Sequence, residues 1–278
     1  MIRTDLCSQK LLVCAVAFSI GLQVESLKSK LSRCRLTLGS WITLAHPAVA
    51  EIMSRAGFDW LAVDLEHSVI TIREAEELIR IIALSGVVPL VRLSANDPVQ
   101  IKRVMDAGAH GVIVPMVNSF ADAEAAVEAV RYPPKGKRGV GLARAQGYGS
   151  SFELYREWLK RESVVIVQVE HIESVNNLES ILSVEGVDGF IVGPYDLSGS
   201  LGVPGQFDHP TMKKSMERIR TVGVSSGKAF GIHLIEPNVK ELRQRVDEGY
   251  NFLAYSLDIR MLDCACRSGL DAVRSDMG

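Results

Sequence analysis

The feature that most constrains the fold of this chain is a regular alternation between short apolar runs and amphipathic stretches. The apolar runs are rich in Val, Ile and Leu without strict alternation, which is typical of strands buried on both faces of a parallel sheet. The stretches between them have helical periodicity, and several end in glycine, as helices commonly do. The eight runs cover residues 36–44, 60–67, 88–94, 111–117, 164–170, 189–197, 228–235 and 252–259.

Eight strands that are each followed by a helix predict an α/β fold of the (β/α)8 barrel type, the TIM barrel. Such a barrel needs about 250 residues, and residues 27–278 supply that length as a single domain. A doubly wound open sheet is the alternative, because periodicity alone does not show whether a sheet closes.

Residues 1–26 are interpreted as a leader of uncertain role. Within them, residues 11–22 are apolar and follow Arg3 and Lys10, which faintly resembles a secretion signal. The run is too short to span a bilayer, which takes about 20 residues, and no clear cleavage site follows it. We therefore expect a docked leader helix or an over-extended start in a cytoplasmic protein, with export or membrane anchoring as the alternative.

Charge and cysteine content exclude some classes of protein. The chain has 31 basic and 33 acidic residues, a balance that argues against a nucleic-acid partner. Its five cysteines lie near the two ends and form neither a disulfide framework nor a C-x-x-C metal pair. They are expected to be reduced thiols.

Polar residues collect at the carboxyl ends of the predicted strands, where barrel enzymes carry their active sites. The amino ends carry almost nothing ionisable, so the asymmetry predicts an active site at the carboxyl end. The polar residues are Asp64, Glu66 and His67 on the second strand, Arg92 on the third, Gln168 and Glu170 on the fifth, Asp196 on the sixth, His233 on the seventh, and Ser256 and Asp258 on the eighth.

Glu170 and Asp196 end adjacent strands, where two carboxylates repel each other unless a cation lies between them or one is protonated. Hard oxygen ligands of this kind suit Mg²⁺ or Mn²⁺. The alternative is that one of them caps a helix or pairs with an arginine.

Two further residues at this end are candidates for proton transfer and charge stabilisation. His67 titrates near neutrality and is the best candidate for a general base, although a histidine at a strand end is often structural. Arg92 is a permanently charged donor suited to a carboxylate or an enolate oxygen. Its alternative role is a buried salt bridge with Asp64 or Glu66.

The remaining histidines have no comparable setting, except that His233 is an intermediate case. We expect them at the surface or as helix caps: His46, His110, His171 and His209. Lysine is absent from the carboxyl ends of the strands, so an imine mechanism is not expected.

The connection before the fifth strand is unusually long and holds five glycines and five basic residues. It is either a solvated loop or a lid or subunit contact beside an anionic substrate, and the sequence favours neither interpretation. The basic residues are Arg131, Lys135, Lys137, Arg138 and Arg144.

Five motifs together resemble the HpcH/HpaI aldolase family, whose members are metal-dependent class II aldolases of 2-keto-3-deoxy acids. The resemblance covers residue 27 to the C-terminus in order. It implies a barrel of the phosphoenolpyruvate/pyruvate superfamily, a hexamer, and an additional C-terminal helix exchanged between subunits. The motifs are AGFDWLAVDLEH, VRLSANDPVQIKRVMDAGAHGVIVPMV, RYPPKGKRGVG, VQVE and EGVDGFIVGPYDLSGSLG.

The resemblance also implies roles for individual residues. Glu170 and Asp196 match the ligands of a divalent metal, Mg²⁺ or Mn²⁺ with Co²⁺ as a further candidate. His67 matches the general acid/base, Asp106 an aspartate paired with it, and Arg92 the arginine on the keto oxygen. The residues that match substrate contacts are Gln168, Gly193, Pro194, Tyr195 and Trp41. Asp64 and Glu66 match residues that contact and support these groups.

Departures from the family pattern concern the mouth of the site. Leu65 replaces the glycine of a D-G-E-H motif, Tyr195 replaces a small residue, and AYSLD replaces V-G-x-D in the last strand. The aldehyde partner is therefore expected to differ even where the pyruvate half is retained.

The implied reaction is reversible cleavage of a 4-hydroxy-2-keto acid into pyruvate and an aldehyde, which makes this chain a carbon–carbon lyase. One alternative is a lyase of a CoA thioester such as citramalyl-CoA or malyl-CoA, for which residues 131–144 are the only candidate groove. A second alternative is a non-catalytic metabolite-binding barrel, which would be expected to lack an acid, the histidine or the arginine. All of them are present.

Overall fold

The computed structural model describes residues 25–276, and within them the chain forms a closed barrel of eight parallel strands. Each strand pairs with the next along the chain, and β1 also pairs with β8. The predicted barrel is confirmed, and the open sheet is excluded. The strands are β1 (Thr37–Ile42), β2 (Trp60–Asp64), β3 (Val88–Arg92), β4 (Gly111–Val114), β5 (Val164–Val169), β6 (Gly189–Val192), β7 (Ala229–Leu234) and β8 (Phe252–Leu257).

Helices surround this barrel, and a 3-10 helix, Arg144–Gly149, lies in the long connection before β5. The helices are α1 (Leu27–Ser32), α2 (Pro47–Ser54), α3 (Ile72–Leu84), α4 (Pro98–Asp106), α5 (Phe120–Val130), α6 (Phe152–Glu162), α7 (Ile172–Asn176), α8 (Leu178–Leu182), α9 (Pro194–Ser200), α10 (Pro210–Ser226), α11 (Val239–Asp247) and α12 (Asp258–Asp276).

Two hydrophobic clusters explain why the strand sequences are apolar on both faces. One cluster packs the outer faces of the strands against the helices, and a smaller one fills the barrel interior. Inside, Trp60 stacks on Phe252 with 4.3 Å between ring centroids. A Cβ on Gly39 would lie 2.0 Å from the Trp60 ring, so only glycine leaves room for that side chain.

The amino end of the barrel is closed by α1. Leu27 and Leu31 belong to the interior cluster. Lys28 pairs with Asp188 and Lys30 pairs with Asp59, each at 2.6 Å. With this end filled by apolar and paired side chains, the carboxyl end is the one left open for a site.

The predicted leader lies outside the described residues except for its last two, and Cys7 and Cys14 lie there as well. Among residues 25–276, no helix has the length and apolar character needed to cross a membrane. The three cysteines in the described part of the chain are free thiols, namely Cys34, Cys264 and Cys266.

Candidate active site

A cavity of about 1120 Å³ opens at the carboxyl end of the barrel. Side chains and backbone from seven of the eight strands, or from the segments that follow them, line it, as the asymmetry of polar residues predicts. Most of the predicted site residues border this one space: Trp41, Asp64, His67, Arg92, Gln168, Gly193, Pro194, Tyr195 and Asp196. His233, the intermediate case, lines it as well.

Glu170 and Asp196 meet beside Gly193. A Cβ built on Gly193 would lie 3.3 Å from Oε2 of Glu170 and 3.7 Å from Oδ2 of Asp196, so both carboxylates border one small space. Glu170 is almost fully buried, and its Oε1 accepts a 2.6 Å hydrogen bond from the backbone N–H of Met116. Its carboxylate therefore has a fixed orientation.

Gln168 connects two carboxylates in this region. Its Nε2 donates to Oε2 of Glu66 at 3.2 Å and to Oε2 of Glu170 in a short hydrogen bond. Burial raises the pKa of Glu66, Arg92 opposes that rise, and the nearby Glu170 carboxylate adds to it. Glu66 and Glu170 thus lie close enough for each carboxylate to disfavour the charged form of the other.

This donor set fits a hard divalent cation. Two carboxylates with convergent oxygens supply part of an octahedral shell, and such ions keep several positions for water and substrate. Among residues 25–276, no three His, Cys, Asp or Glu side chains come together as a metal site. An ion in this position would therefore be held by fewer than three such side chains of the described chain.

Arg92 lines the same cavity and is held in three ways. Its Nε and Nη2 donate to the two oxygens of Asp64 at 2.9 and 2.7 Å, and Nη1 lies 3.4 Å from Oε2 of Glu66. Its Cζ lies 4.3 Å from the centroid of the Trp41 ring. The alternative that Arg92 forms a buried salt bridge is thus correct, and the same salt bridge leaves the guanidinium at the cavity wall.

His67 follows β2 and is the most exposed of the candidate polar residues there, with 61% of its side chain accessible. Its Nε2 lies 3.9 Å from Oε2 of Glu66. The backbone N–H groups of Glu66 and His67 both donate to Oδ1 of Asp64, at 3.0 and 3.3 Å. Asp64 therefore fixes both Arg92 and the turn that carries His67.

Asp106 does not lie beside His67. It ends α4, and the chain then returns to the amino end of the barrel, where the backbone N–H of His110 donates to Pro89 at the start of β3. Burial raises the pKa of Asp106, which Arg138 and Lys102 oppose, and its Oδ1 has no hydrogen-bond partner among the described residues.

The basic connection also lies away from this chain's own cavity. Arg138 is buried, with Cζ 4.3 Å from the Tyr132 ring and Nη2 donating to the Tyr155 hydroxyl at 2.8 Å. Arg144 donates to the carbonyl of Ala107 at 3.0 Å. The interpretation of this segment as a lid over its own site is therefore wrong, and that of a subunit contact stays open.

The expectation for the other histidines is correct for three of the four. His46, His171 and His209 are the N-cap residues of α2, α7 and α10. His110 is the exception, because it packs edge-on against Trp158 with 4.8 Å between ring centroids.

The sequence argument did not predict two contacts that order this end of the barrel, although it named Asp258 among the polar residues at the strand ends. Met116 has a φ of 52°, which places its N–H on Glu170, and nothing about a methionine signals that conformation. Asp258 accepts from the backbone N–H groups of Thr43 and Leu44 at 2.8 Å and thereby fixes the turn after β1. Its position at the end of β8 could have suggested a capping role.

Comparison with known proteins agrees with this geometry. The chain is 38% identical over 245 residues to the hydroxypyruvate/pyruvate aldolase of Roseobacter denitrificans, covering 86% of this chain and 93% of that one. It is 38% identical over 241 residues to the 4-hydroxy-2-oxo-heptane-1,7-dioate aldolase of Escherichia coli, covering 86% and 90%.

A solved structure and a family profile are also similar to this chain. The crystal structure of an HpcH/HpaI aldolase/citrate lyase family protein from Burkholderia cenocepacia superposes with a TM-score of 0.85 at 35% identity, covering 90% of this chain and all of that one. The profile of the HpcH/HpaI aldolase/citrate lyase family matches residues 37–263. The chain therefore belongs to the HpcH/HpaI aldolase/citrate lyase family, as its motifs predict.

Proposed function

We propose that this protein is a metal-dependent aldolase that reversibly cleaves a 4-hydroxy-2-keto acid into pyruvate and an aldehyde, and is thus a carbon–carbon lyase. The observation that carries the proposal is that Glu170 and Asp196 both border the space beside Gly193, in a cavity that Arg92 and His67 also line. The activities for which the relatives are named, hydroxypyruvate/pyruvate aldolase and 4-hydroxy-2-oxo-heptane-1,7-dioate aldolase, support it.

Glu170 and Asp196 would hold the divalent ion, Mg²⁺ or Mn²⁺ with Co²⁺ as a further candidate. Bound there, the ion would supply Lewis-acid polarisation of the keto group. Gly193 and the first two residues of α9, Pro194 and Tyr195, border the same space and would receive the carboxylate of the keto acid. Gln168 keeps the Glu170 carboxylate in place by donating to it.

Arg92 would stabilise the negative charge that develops on the keto oxygen. Its bidentate pair with Asp64 and the face of Trp41 hold the guanidinium before the substrate arrives, so little reorganisation is needed during the reaction. A preorganised donor of this kind is typically worth about 10²–10³ in rate.

His67 would accept the proton of the C4 hydroxyl. The C4–O bond then becomes a carbonyl as the C3–C4 bond breaks, and the electron pair moves to the pyruvate half as an enolate. A proton returned to C3 completes the release of pyruvate. Because Asp106 lies at the other end of the barrel, an orienting contact from Asp106 to His67 requires a second copy of the chain, and it stays a prediction.

The same proposal includes a hexamer with exchanged C-terminal helices. Leu262, Leu270 and Val273 of α12 are 57%, 57% and 60% exposed, and α11 buries no residue. A single chain thus leaves two neighbouring helices poorly covered. Light scattering should give a hexamer for the wild type and smaller species for the double variant Leu262→Asp/Leu270→Asp, and a monomeric wild type would contradict this part.

The metal requirement is tested by chelation. Protein treated with EDTA should lose cleavage of 4-hydroxy-2-keto acids, and added Mn²⁺ or Mg²⁺ should restore it. Full activity after EDTA treatment would refute the metal proposal, and inactivation by borohydride with pyruvate would indicate an imine enzyme instead. Turnover of a CoA thioester, without turnover of free keto acids, would favour the alternative lyase.

A pair of substitutions tests whether Mn²⁺ binding depends on Glu170 itself or only on the presence of a carboxylate in this part of the chain. Glu170→Gln removes one proposed ligand and should abolish Mn²⁺ binding by calorimetry. Glu173→Gln, three residues further along and exposed on α7, is the matched control and should bind Mn²⁺ like the wild type.

We also propose a cytoplasmic location, which the three free cysteines support.

A further inference from the structure

The cavity at the carboxyl end of the barrel is larger than pyruvate requires. Its volume of about 1120 Å³ lies above the roughly 300–1,000 Å³ of pockets that enclose drug-sized ligands, and pyruvate is far smaller than such ligands. Besides the strand ends, α10 and α11 line it, through Met216 and Arg245 among others. On the proposed function, this additional space is available to the part of the keto acid beyond C3, which leaves as the aldehyde.

Three large apolar side chains line the cavity and are exposed in the single chain. Tyr195 is 55% exposed, Phe207 41% and Ile259 46%. The rings of Tyr195 and Phe207 meet edge-on, with 4.8 Å between centroids and 88° between planes. Large apolar side chains that are exposed together beside a cavity indicate a binding surface. An apolar substituent on a substrate would cover them.

The permanently charged cations that line the cavity all have carboxylate partners of their own. A second carboxylate on the substrate would therefore compete with a carboxylate of the protein for each of them, and like charges brought together disfavour binding. His67 is occupied by proton transfer in the proposed mechanism. The pairs are Arg92 with Asp64 at 2.7 Å, Lys213 with Asp208 at 2.9 Å, Arg220 with Glu217 at 2.9 Å and Arg245 with Glu248 at 2.9 Å.

We propose that the aldehyde partner of this protein carries an uncharged apolar substituent, and that an aldehyde with a carboxylate is disfavoured. Tyr195, Phe207 and Ile259 would lie against that substituent, and the paired cations leave no free charge for a carboxylate. The single carboxylate of the keto acid keeps its place beside the divalent ion. This inference rests on the proposed aldolase function and deepens it, because it names the class of aldehyde.

Two aldehydes of equal chain length test this inference. Butanal ends in a methyl group where succinic semialdehyde ends in a carboxylate, and the Mn²⁺-loaded protein adds pyruvate to each. The readout is the ratio of kcat/KM for butanal to kcat/KM for succinic semialdehyde. The wild type should favour butanal by about tenfold or more, because the carboxylate meets like charge and no free cation.

Substitutions of Phe207 show whether the cavity sets this ratio. Phe207→Lys adds a cation beside Tyr195 and should lower the ratio by about threefold to fivefold, the effect of a partly exposed ion pair. Phe207→Leu stays apolar and should keep the preference for butanal. Phe120→Lys is the matched control and should leave the ratio at the wild-type value, since Phe120 is 43% exposed at the start of α5 and does not line the cavity. Because each ratio is measured on one preparation, partial loss of folded protein does not change it.

The outcomes separate this inference from the function on which it rests. Addition of pyruvate to neither aldehyde, nor to glycolaldehyde, by the wild type would refute the aldolase proposal itself. Addition with a preference for succinic semialdehyde would refute only the inference about the aldehyde. A ratio that Phe207→Lys leaves unchanged, or that Phe120→Lys lowers equally, would show that the walls of this cavity do not select the aldehyde.

Discussion

The buried histidine at the amino end of the barrel makes the stability of this protein depend on pH. Burial lowers the pKa of His110 to about 4, with Arg144 contributing, while Glu162 opposes the shift. In the unfolded chain a histidine has a pKa near 6.5. Below that value the unfolded state binds a proton that the folded state does not, so stability falls as pH decreases from about 6.5 to about 4.

The difference between the pKa values of His110 in the folded and unfolded states sets how much the free energy of unfolding falls. One pKa unit corresponds to about 1.36 kcal/mol, so His110 should reduce the free energy of unfolding by about 2 kcal/mol at pH 5 and about 3 kcal/mol at pH 4. Above pH 7 the ring is neutral in both states and contributes nothing to the pH dependence.

The substitution His110→Phe removes this titration and retains an aromatic ring against Trp158. Urea unfolding is measured at pH 7 and at pH 5, at one protein concentration, for the wild type and the variant. The fall in free energy of unfolding between the two pH values should be smaller in the variant by about 2 kcal/mol. Any packing cost of the phenyl ring cancels in this difference.

A substitution outside the barrel wall supplies the control. It is Ile52→Ala, at an exposed position of α2 that carries no titratable group. This variant should lose as much stability between pH 7 and pH 5 as the wild type. An equal loss in His110→Phe would show that burial does not keep His110 neutral.

Three other predictions follow from single contacts. Gly193→Ala places a Cβ 3.3 Å from Oε2 of Glu170, so calorimetry should show Mn²⁺ affinity lower by about 10- to 100-fold, and unchanged affinity would contradict the assigned site. Leu31→Ala opens a cavity at the plugged end of the barrel and should cost about 2–5 kcal/mol in urea unfolding. Arg92→Lys keeps the charge but loses the fork on Asp64, and kcat/KM should fall by about 10²-fold or more, with a normal rate refuting preorganisation.

The barrel could be predicted from the sequence because its strands are buried on both faces. Residues such as Ile113 point into the barrel while Val112 and Val114 pack against helices, so the apolar run has no polar break. The glycine positions were equally informative, since Gly57 and Gly108 have φ values of 94° and 100° at the ends of helices.

The sequence was enough to predict which residues form the site, but not which hydrogen bonds join them. Polar side chains at strand ends share one face of any parallel barrel, which is why Glu170 and Asp196 meet. The amide bridge from Gln168 and the backbone donor at Met116 depend on side-chain rotamers and on one positive φ, which no spacing rule encodes. The same limit applies to His110, whose burial arises from packing on Trp158 rather than from any local pattern.

Arg92 was interpreted either as part of a structural ion pair or as a functional hydrogen-bond donor. The second role depends on the first, because the ion pair fixes the guanidinium. An arginine beside a keto oxygen must be fixed in advance, because a mobile side chain would lose much of its stabilising effect to reorganisation. Asp64 supplies that fixation through both of its oxygens, and the same carboxylate accepts from the backbone of the turn that carries His67. On the proposed function, loss of Asp64 would disturb the proposed charge-stabilising group and the proposed proton acceptor together, so the salt bridge at this strand end is compatible with a functional arginine.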